Sequence, residues 1–263
     1  MTLAYTSELM LEQYELLVTL LPPTAATGRP RTVNLMQVIQ AILYVLVSGC
    51  AWRLLPSSYP PPSTVYYYFR KWRNDGTWKR VHDHLMQWVR VSEGHHPSPS
   101  AGSLDSQTVP TAVMVQQSVG YDAGKQTKGR KRFTLVDTLG LLLALTVVAA
   151  STPEREGAKQ VLQQVHQERQ RLPHLTRVWV DGGFSGADFL RSVIDTFALV
   201  LETVLRPQGT KGFIVLPKRW VVERTYGWLH WCRRLNLDYE RLPESSEAFI
   251  YIAMIRLMLR RLA

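Results

Sequence analysis

Cysteine is scarce in this sequence: Cys50 and Cys232 are the only two in 263 residues, far apart, with no C-x-x-C pair and no histidines at ligand spacing. That excludes a disulfide framework, makes a zinc finger a poor fit, and points to a reducing compartment. Acidic residues are also few, 21 Asp and Glu against 31 Lys and Arg, leaving a formal charge of +10. Such a balance suits a polyanionic partner, nucleic acid or an anionic membrane surface, although acidic substrates suit it too. No apolar run is long enough to span a bilayer, Leu139 to Ala150 being the most apolar. The N-terminus lacks the basic start, apolar stretch and small-residue cleavage site of a signal peptide. We therefore expect a soluble, cytoplasmic protein with no membrane partner. Internal repeats and low-complexity tracts are missing as well. What remains is 46% hydrophobic residues, enough to build a real core over this length, so a disordered or fibrous chain is excluded.

The Gly, Pro and Ser cluster from Gly94 to Gly102 reads as a linker and divides the chain into a helical domain at 1–94, a linker at 95–102 and a second domain at 103–263. In the first part, apolar spacing predicts helices over Ser7 to Leu20 and Asn34 to Val47, the latter closed by Gly49. Ser63 is a good N-cap for a helix through Trp72, and Gly76 separates that helix from another reaching Val91. Beyond the linker, Ser103 to Val109, Arg132 to Val136 and Leu141 to Val148 read as an antiparallel meander. A helix starting at Thr152-Pro153-Glu154, a strand ending at Asp181, a helix over Ser185 to Asp195 and a strand over Phe197 to Leu205 follow. A long helix from about Lys218 to Leu235 and another from Glu244 to Leu262 complete the chain. This connectivity is that of a ribonuclease-H-like α/β domain, a mixed five-stranded sheet with flanking helices, preceded by an all-α helix-turn-helix-like domain.

That fold sets acids where strands end. Asp105 stands inside the first strand run, where a buried acid is costly unless a cation compensates it. Asp181 closes the fourth strand before Gly182 and Gly183, which allow close backbone approach to a ligand. Glu223 lies in the long helix. Two aspartates on neighbouring strands and a glutamate from a packing helix can hold two hard cations for in-line phosphoryl transfer. Each acid also has a plainer reading: Asp105 satisfied by Ser103 or Ser106, Asp181 capping the next helix, Glu223 pairing with Arg219 four residues earlier.

Seven segments then carry a resemblance along nearly the whole chain: W-R-L-L-P at 52–56, D-G-T-W at 75–78, D-S-Q-T-V at 105–109 and D-A-G-K-Q-T-K-G-R-K-R at 122–132. V-D-T-L-G at 136–140, D-G-G-F-S-G at 181–186, and V-V-E-R-T-Y-G-W-L with R-R-L within 221–235 complete the set. The sequence resembles the DDE transposases of bacterial insertion sequences, specifically insertion-sequence family five, whose catalytic domain has no large insertion before its final glutamate. The resemblance implies that Asp105, Asp181 and Glu223 are the catalytic, metal-binding triad, that the cofactor is magnesium with manganese as a substitute, and that Arg219 is the basic residue preceding the glutamate. Two positions depart from the family: Leu216 replaces a frequent tyrosine and His230 a basic residue. E-R-E-G at 154–157 keeps the charge pattern of a further motif without its usual aspartates.

The partner implied is double-stranded DNA, the terminal inverted repeats and the target, bound by at least a homodimer. Candidate DNA contacts are Tyr67, Tyr68, Arg70, Lys71 and Arg73 on the second helix of the helix-turn-helix-like unit, with Tyr66 and Phe69 as its core side. A Gly-spaced basic loop of Lys125, Lys128, Arg130, Lys131 and Arg132 is a second candidate, and also fits an ordinary solvated hairpin. Arg219, His230, Trp231, Arg233 and Arg234 form a third group, in which Trp231 fits either a core position at helical spacing or stacking on a displaced base. A DNA-binding regulator without cleavage, and a metal-dependent nuclease without strand transfer, are the alternative functions.

Overall fold

A computed structural model describes residues 5–23, 32–205 and 218–263. Among these, every element before residue 95 is helical: α1 (Leu11–Leu20), α2 (Leu35–Ser48), α3 (Pro62–Asn74) and α4 (Thr77–Ser92), with one 3-10 turn at Trp52–Leu54. In α2, the Asn34 side chain accepts from Gln37 N, and Gly49 closes the helix at φ 74, the left-handed region that costs glycine least. The α1 helix begins at Leu11 rather than Ser7, because Gln13 Oε1 accepts from Met10 N at 3.1 Å and caps it there. Likewise α3 starts at Pro62, one residue before the expected cap Ser63, since proline at the first position lacks only an N–H that would have no helical acceptor.

The expected linker is built into the fold. Ala101 and Gly102 are the first residues of β1 (Ala101–Pro110) and pair with Arg177 and Val178. Arg90 binds His96 O at 2.8 Å and forms a buried ion pair with Asp137, stapling this segment to the sheet. The sheet has six strands, not five: β2 (Gly120–Asp122), β3 (Thr127–Asp137), β4 (Leu142–Ala149), β5 (Arg177–Val180) and β6 (Val200–Thr203) join β1. The extra strand, β2, is three residues long, too short for any periodicity to announce it. The order is β2-β3-β1-β5-β6, with β4 beside β2 along the outer edge of β3. Strands β1, β3 and β4 run antiparallel, and β1, β5 and β6 parallel, so the sheet is mixed. Gly129 lets β3 approach β1: a Cβ there would stand 2.0 Å from Val109 O.

Helices α5 (Glu154–Gln167) and α6 (Ala187–Phe197) lie between the later strands, and α7 (Trp220–His230) and α8 (Pro243–Leu262) follow. The expected helix from Lys218 to Leu235 is therefore broken. Cys232 is extended, and a 3-10 turn at Arg233–Leu235 turns the chain so that Arg234 meets Glu240. Leu216 lies outside the described residues. On α8, every residue from Ala248 to Ile255 is buried, because α1 to α4 pack on it from one side and β4 from another. One hydrophobic core thus runs from the helical unit into the sheet. Among the described residues no helix is long and apolar enough to cross a membrane.

Candidate active site

Parallel register brings the two aspartates together. Ser103 of β1 pairs with Trp179 of β5, and two residues further along each chain come Asp105 and Asp181, level with one another. Both carboxylates are organised alike. Ser106 N donates to Asp105 Oδ1 at 2.8 Å, Gly183 N donates to Asp181 Oδ1 at 2.8 Å, and each Oδ2 lies 3.8 Å from the same atom, Arg219 Nη2. The two Oδ2 atoms are therefore within twice that distance of each other. Arg219 is the residue just before α7, and α7 is pinned to the sheet by Tyr226, whose hydroxyl donates to Asp105 O at 2.9 Å and accepts from Thr134 Oγ1 at 2.6 Å.

A third acid faces this pair. Glu154, first residue of α5, contributes to the negative field at Asp105, and its Cγ would lie 3.6 Å from a Cβ on Gly183. Lys131 Nζ donates to Glu154 Oε1 at 3.0 Å, while Oε2 is buried without a hydrogen-bond partner. Burial pushes the Asp105 carboxyl up to about 7; Ser106 N–H and Arg219 pull it down, and Asp181 and Glu154 push it further up. The site thus holds more negative charge than Arg219 balances.

Glu223 lies one turn beyond Arg219 on α7 and is exposed. Among the described residues no three His, Cys, Asp or Glu side chains converge closely enough to hold a metal ion, while Asp105 and Asp181 are brought together at Arg219. Glu154 was missed as a neighbour of the aspartates; the charged E-R-E-G motif was the available signal.

The basic candidates divide sharply. Arg70, Lys71, Lys125, Lys128 and Arg233 are exposed, as are Tyr67 and Trp231, the latter at 77%. His230 is exposed, with its Nε2 3.0 Å from Gln107 Nε2. Tyr68 packs partly into the core against Trp72, and Arg73 is half-buried with Nη1 donating to Ser245 Oγ at 2.6 Å. Four assignments to DNA contact are corrected. Arg130 and Arg132 are interior residues of β3 at 0% and 1% exposure, Lys131 is buried against Glu154 and Asp122, and Arg234 is buried against Glu240 at 2.6 Å. The run reads as a loop in sequence, but strand β3 starts at Thr127 and carries its last three charges inward, where carboxylates and carbonyls wait. Tyr66, expected on the core side of α3, is 40% exposed and stacks at the edge of Trp52; Trp220 is 38% exposed, with Arg224 over its ring.

An antiparallel meander with Asp105 inside its first strand, a helix, and two further strands parallel to that first one, with Asp181 just beyond β5, define a ribonuclease-H-like domain. Residues 96–258 match the family model of a transposase DDE domain, and residues 9–82 match that of a putative transposase of the IS4/5 family. The chain belongs to the DDE transposases of the IS4/5 type. It is 36% identical over 74 residues to a putative transposase for insertion sequence element IS402 from Burkholderia cepacia. That stretch covers 28% of this chain and 34% of the relative, so the match spans about a third of that protein's length. A cryo-EM structure of the piggyBac transposase synaptic complex with hairpin DNA aligns at a TM-score of 0.38 and 13% identity, over 78% of this chain and 48% of that one.

Proposed function

We propose that this transposase binds the terminal inverted repeats of its own insertion sequence, cleaves DNA there by metal-dependent hydrolysis and joins the freed 3′-hydroxyl to target DNA. The observation that carries the reading is the pair of aspartate Oδ2 atoms turned to one cationic nitrogen. Their oxygen-only donor set, and an Asp105 carboxyl raised chiefly by burial and further by Asp181 and Glu154, suit a hard divalent cation. Asp105 and Asp181 would hold it, with Glu223 as the third acid of the family pattern; magnesium or manganese, when bound, lowers the pKa of the attacking water or hydroxyl and stabilises the leaving oxygen. The protein's own share is positional. Ser106 and Gly183 N–H groups fix one oxygen of each aspartate, Tyr226 fixes the backbone of β1, and Arg219 is left to meet a phosphate once the aspartates have another cation. Glu223 shares the helix face of Arg219, four residues on. Arg70, Lys71 and Arg73 on α3 would contact the terminal repeat, and Lys125 and Lys128 the phosphates near the cleaved strand. Two copies would pair two ends, in the bacterial cytoplasm.

Asp105→Asn, Asp181→Asn and Glu223→Gln preserve size and leave the surface lysines and arginines untouched. Each should bind terminal-repeat DNA within about twofold of the parent in a mobility-shift assay and lose magnesium-dependent nicking. Nicking at the parental rate by any of the three removes that residue from the site. A parent that binds but never nicks with any divalent ion is a regulator, and nicking without strand joining makes it a nuclease.

A further inference from the structure

The motif W-R-L-L-P at 52–56 plays no part in the site around Asp105, yet its first two residues, Trp52 and Arg53, line a cavity of about 790 Å³. Such a volume lies within the roughly 300–1,000 Å³ of small-ligand sites. Three aromatic side chains, Trp52, Tyr66 and Tyr239, and four arginines, Arg53, Arg73, Arg234 and Arg241, line it. Tyr66 and Tyr239 are 40% and 37% exposed, so their rings are open to the space. Charge at the wall is one-sided: the sole acid lining it, Glu240, is already neutralised by Arg234 at 2.6 Å. Among the described residues Arg73 has no carboxylate partner and binds only Ser245 Oγ and Asn74 Oδ1.

Two helices also begin here. Ser63 in the first turn of α3 and Ser245 in the first turn of α8 line the cavity, and the residues ahead of them, Pro61 and Leu242, provide no side-chain cap. Helix N-termini favour anions. Arginines and two helix ends for phosphate, with aromatic faces for a flat ring, are the recognition elements of a nucleotide.

The cavity is tied to the chemistry by β1. From Asp105 to Pro110 the strand covers about 16 Å at ~3.3 Å per residue, and Asp238 N donates to Pro110 O at 2.9 Å where the segment bearing Tyr239 and Arg241 begins. At ~3.4 Å per nucleotide along one strand, that places the cavity about five nucleotides from the aspartates. We propose that this cavity receives a single unstacked nucleotide of the bound DNA strand, base against Trp52 and Tyr66 and phosphate on Arg53 and Arg241. The proposal rests on the DNA reading above and adds a place where the duplex is opened.

The test uses the full chain and two labelled 30-base-pair duplexes, one fully paired and one carrying a single bulged 2-aminopurine. The bulged duplex should bind about tenfold tighter by anisotropy, with 2-aminopurine fluorescence quenched on binding. Tyr66→Ala and Arg53→Ala, both at the surface, should abolish that preference and the quenching while changing affinity for the paired duplex less than twofold. Trp52→Phe, which keeps the packing against Phe69 and Phe249, should retain part of the preference. Equal binding of the two duplexes, or a preference that survives both alanine variants, overturns the proposal and leaves the transposase reading intact. Saturation of the cavity by free deoxyadenosine monophosphate with no preference for the bulge assigns it to a free nucleotide and likewise overturns the DNA-strand proposal. Failure to bind either duplex overturns the DNA reading itself.

Discussion

Arg70, Lys71 and Arg73 on α3 and Arg130, Lys131 and Arg132 on β3 are equally dense in charge. The first set stands at or near the surface, and the second is almost wholly buried. What separates them is where the fold puts the backbone that bears them, a surface helix in one case and an interior strand in the other. Arg130 donates to Asp238 Oδ2 at 3.2 Å, Glu240 O at 2.8 Å, Ser246 Oγ at 3.1 Å, and the carbonyls of Gln117 and Arg241 at 2.8 and 3.0 Å. It thereby ties the 238–246 segment, one wall of the arginine-lined cavity, to the sheet. Arg132 reaches only Leu235 O at 3.0 Å, and burial pulls its pKa down to about 10. A basic run in sequence thus becomes an internal strut where the fold buries it among carbonyls and carboxylates, and stays at the surface where it does not.

The comparison is broken most directly at Arg130. Arg130→Met leaves Asp238 buried without its cation and strands several carbonyls, so unfolding free energy by urea titration should fall by about 3–5 kcal/mol. A loss below about 1 kcal/mol would show that the network is dispensable. A smaller effect comes from an acid that is buried without a cation. Glu247 on α8 accepts from Val147 N at 2.9 Å, and burial, helped by Glu244, lifts its carboxyl to about 7. Its folded pKa being raised, the group favours folding fully when protonated, and that contribution is lost as pH rises from about 4.5 through 7. Glu247→Gln keeps an acceptor for Val147 N and removes the charge. Thermal unfolding should show a gain on the order of 2 kcal/mol at pH 8 that vanishes near pH 4; a gain independent of pH would refute the account.

The smallest effect on stability, and the clearest on binding, belongs to α3. Arg70→Ala with Lys71→Ala should alter unfolding free energy by less than about 0.5 kcal/mol, yet lower the log–log salt slope of DNA binding by about two, close to one per lost phosphate contact. Lys125→Ala with Lys128→Ala should act in the same way. If Arg130→Met, measured well below its melting temperature, reduced the slope equally, the division between strut and contact would fail.

Legibility followed the range of the interactions. Helix α2 was readable because its signals, Asn34 at one end and Gly49 at the other, act within a turn of the chain. Asp105 and Asp181 were readable because a charged residue in an apolar strand run is a local anomaly. Glu154 was visible only as part of a motif, since its approach to Asp105 depends on how α5 lies on the sheet. The inward turn of Arg130 and Arg132 was hidden for the same reason: most of the acceptors of Arg130, and the Leu235 carbonyl that Arg132 reaches, come from residues more than 100 positions away.

From its sequence alone, then, this chain is marked as a basic, disulfide-free protein with a helical first part, a mixed α/β second part and a spaced set of acids matching the DDE pattern. Composition, periodicity and capping are local properties, and side chains within one turn or one strand suffice to express them. Tertiary structure decided what depends on closing long loops. It set the parallel register that levels Asp105 with Asp181, the placing of Arg219 between them, the burial of the β3 arginines, and the cavity where α3, α8 and the 238–245 segment meet. Each requires groups distant in sequence to desolvate one another, and that cost and its compensation exist only once the core has formed.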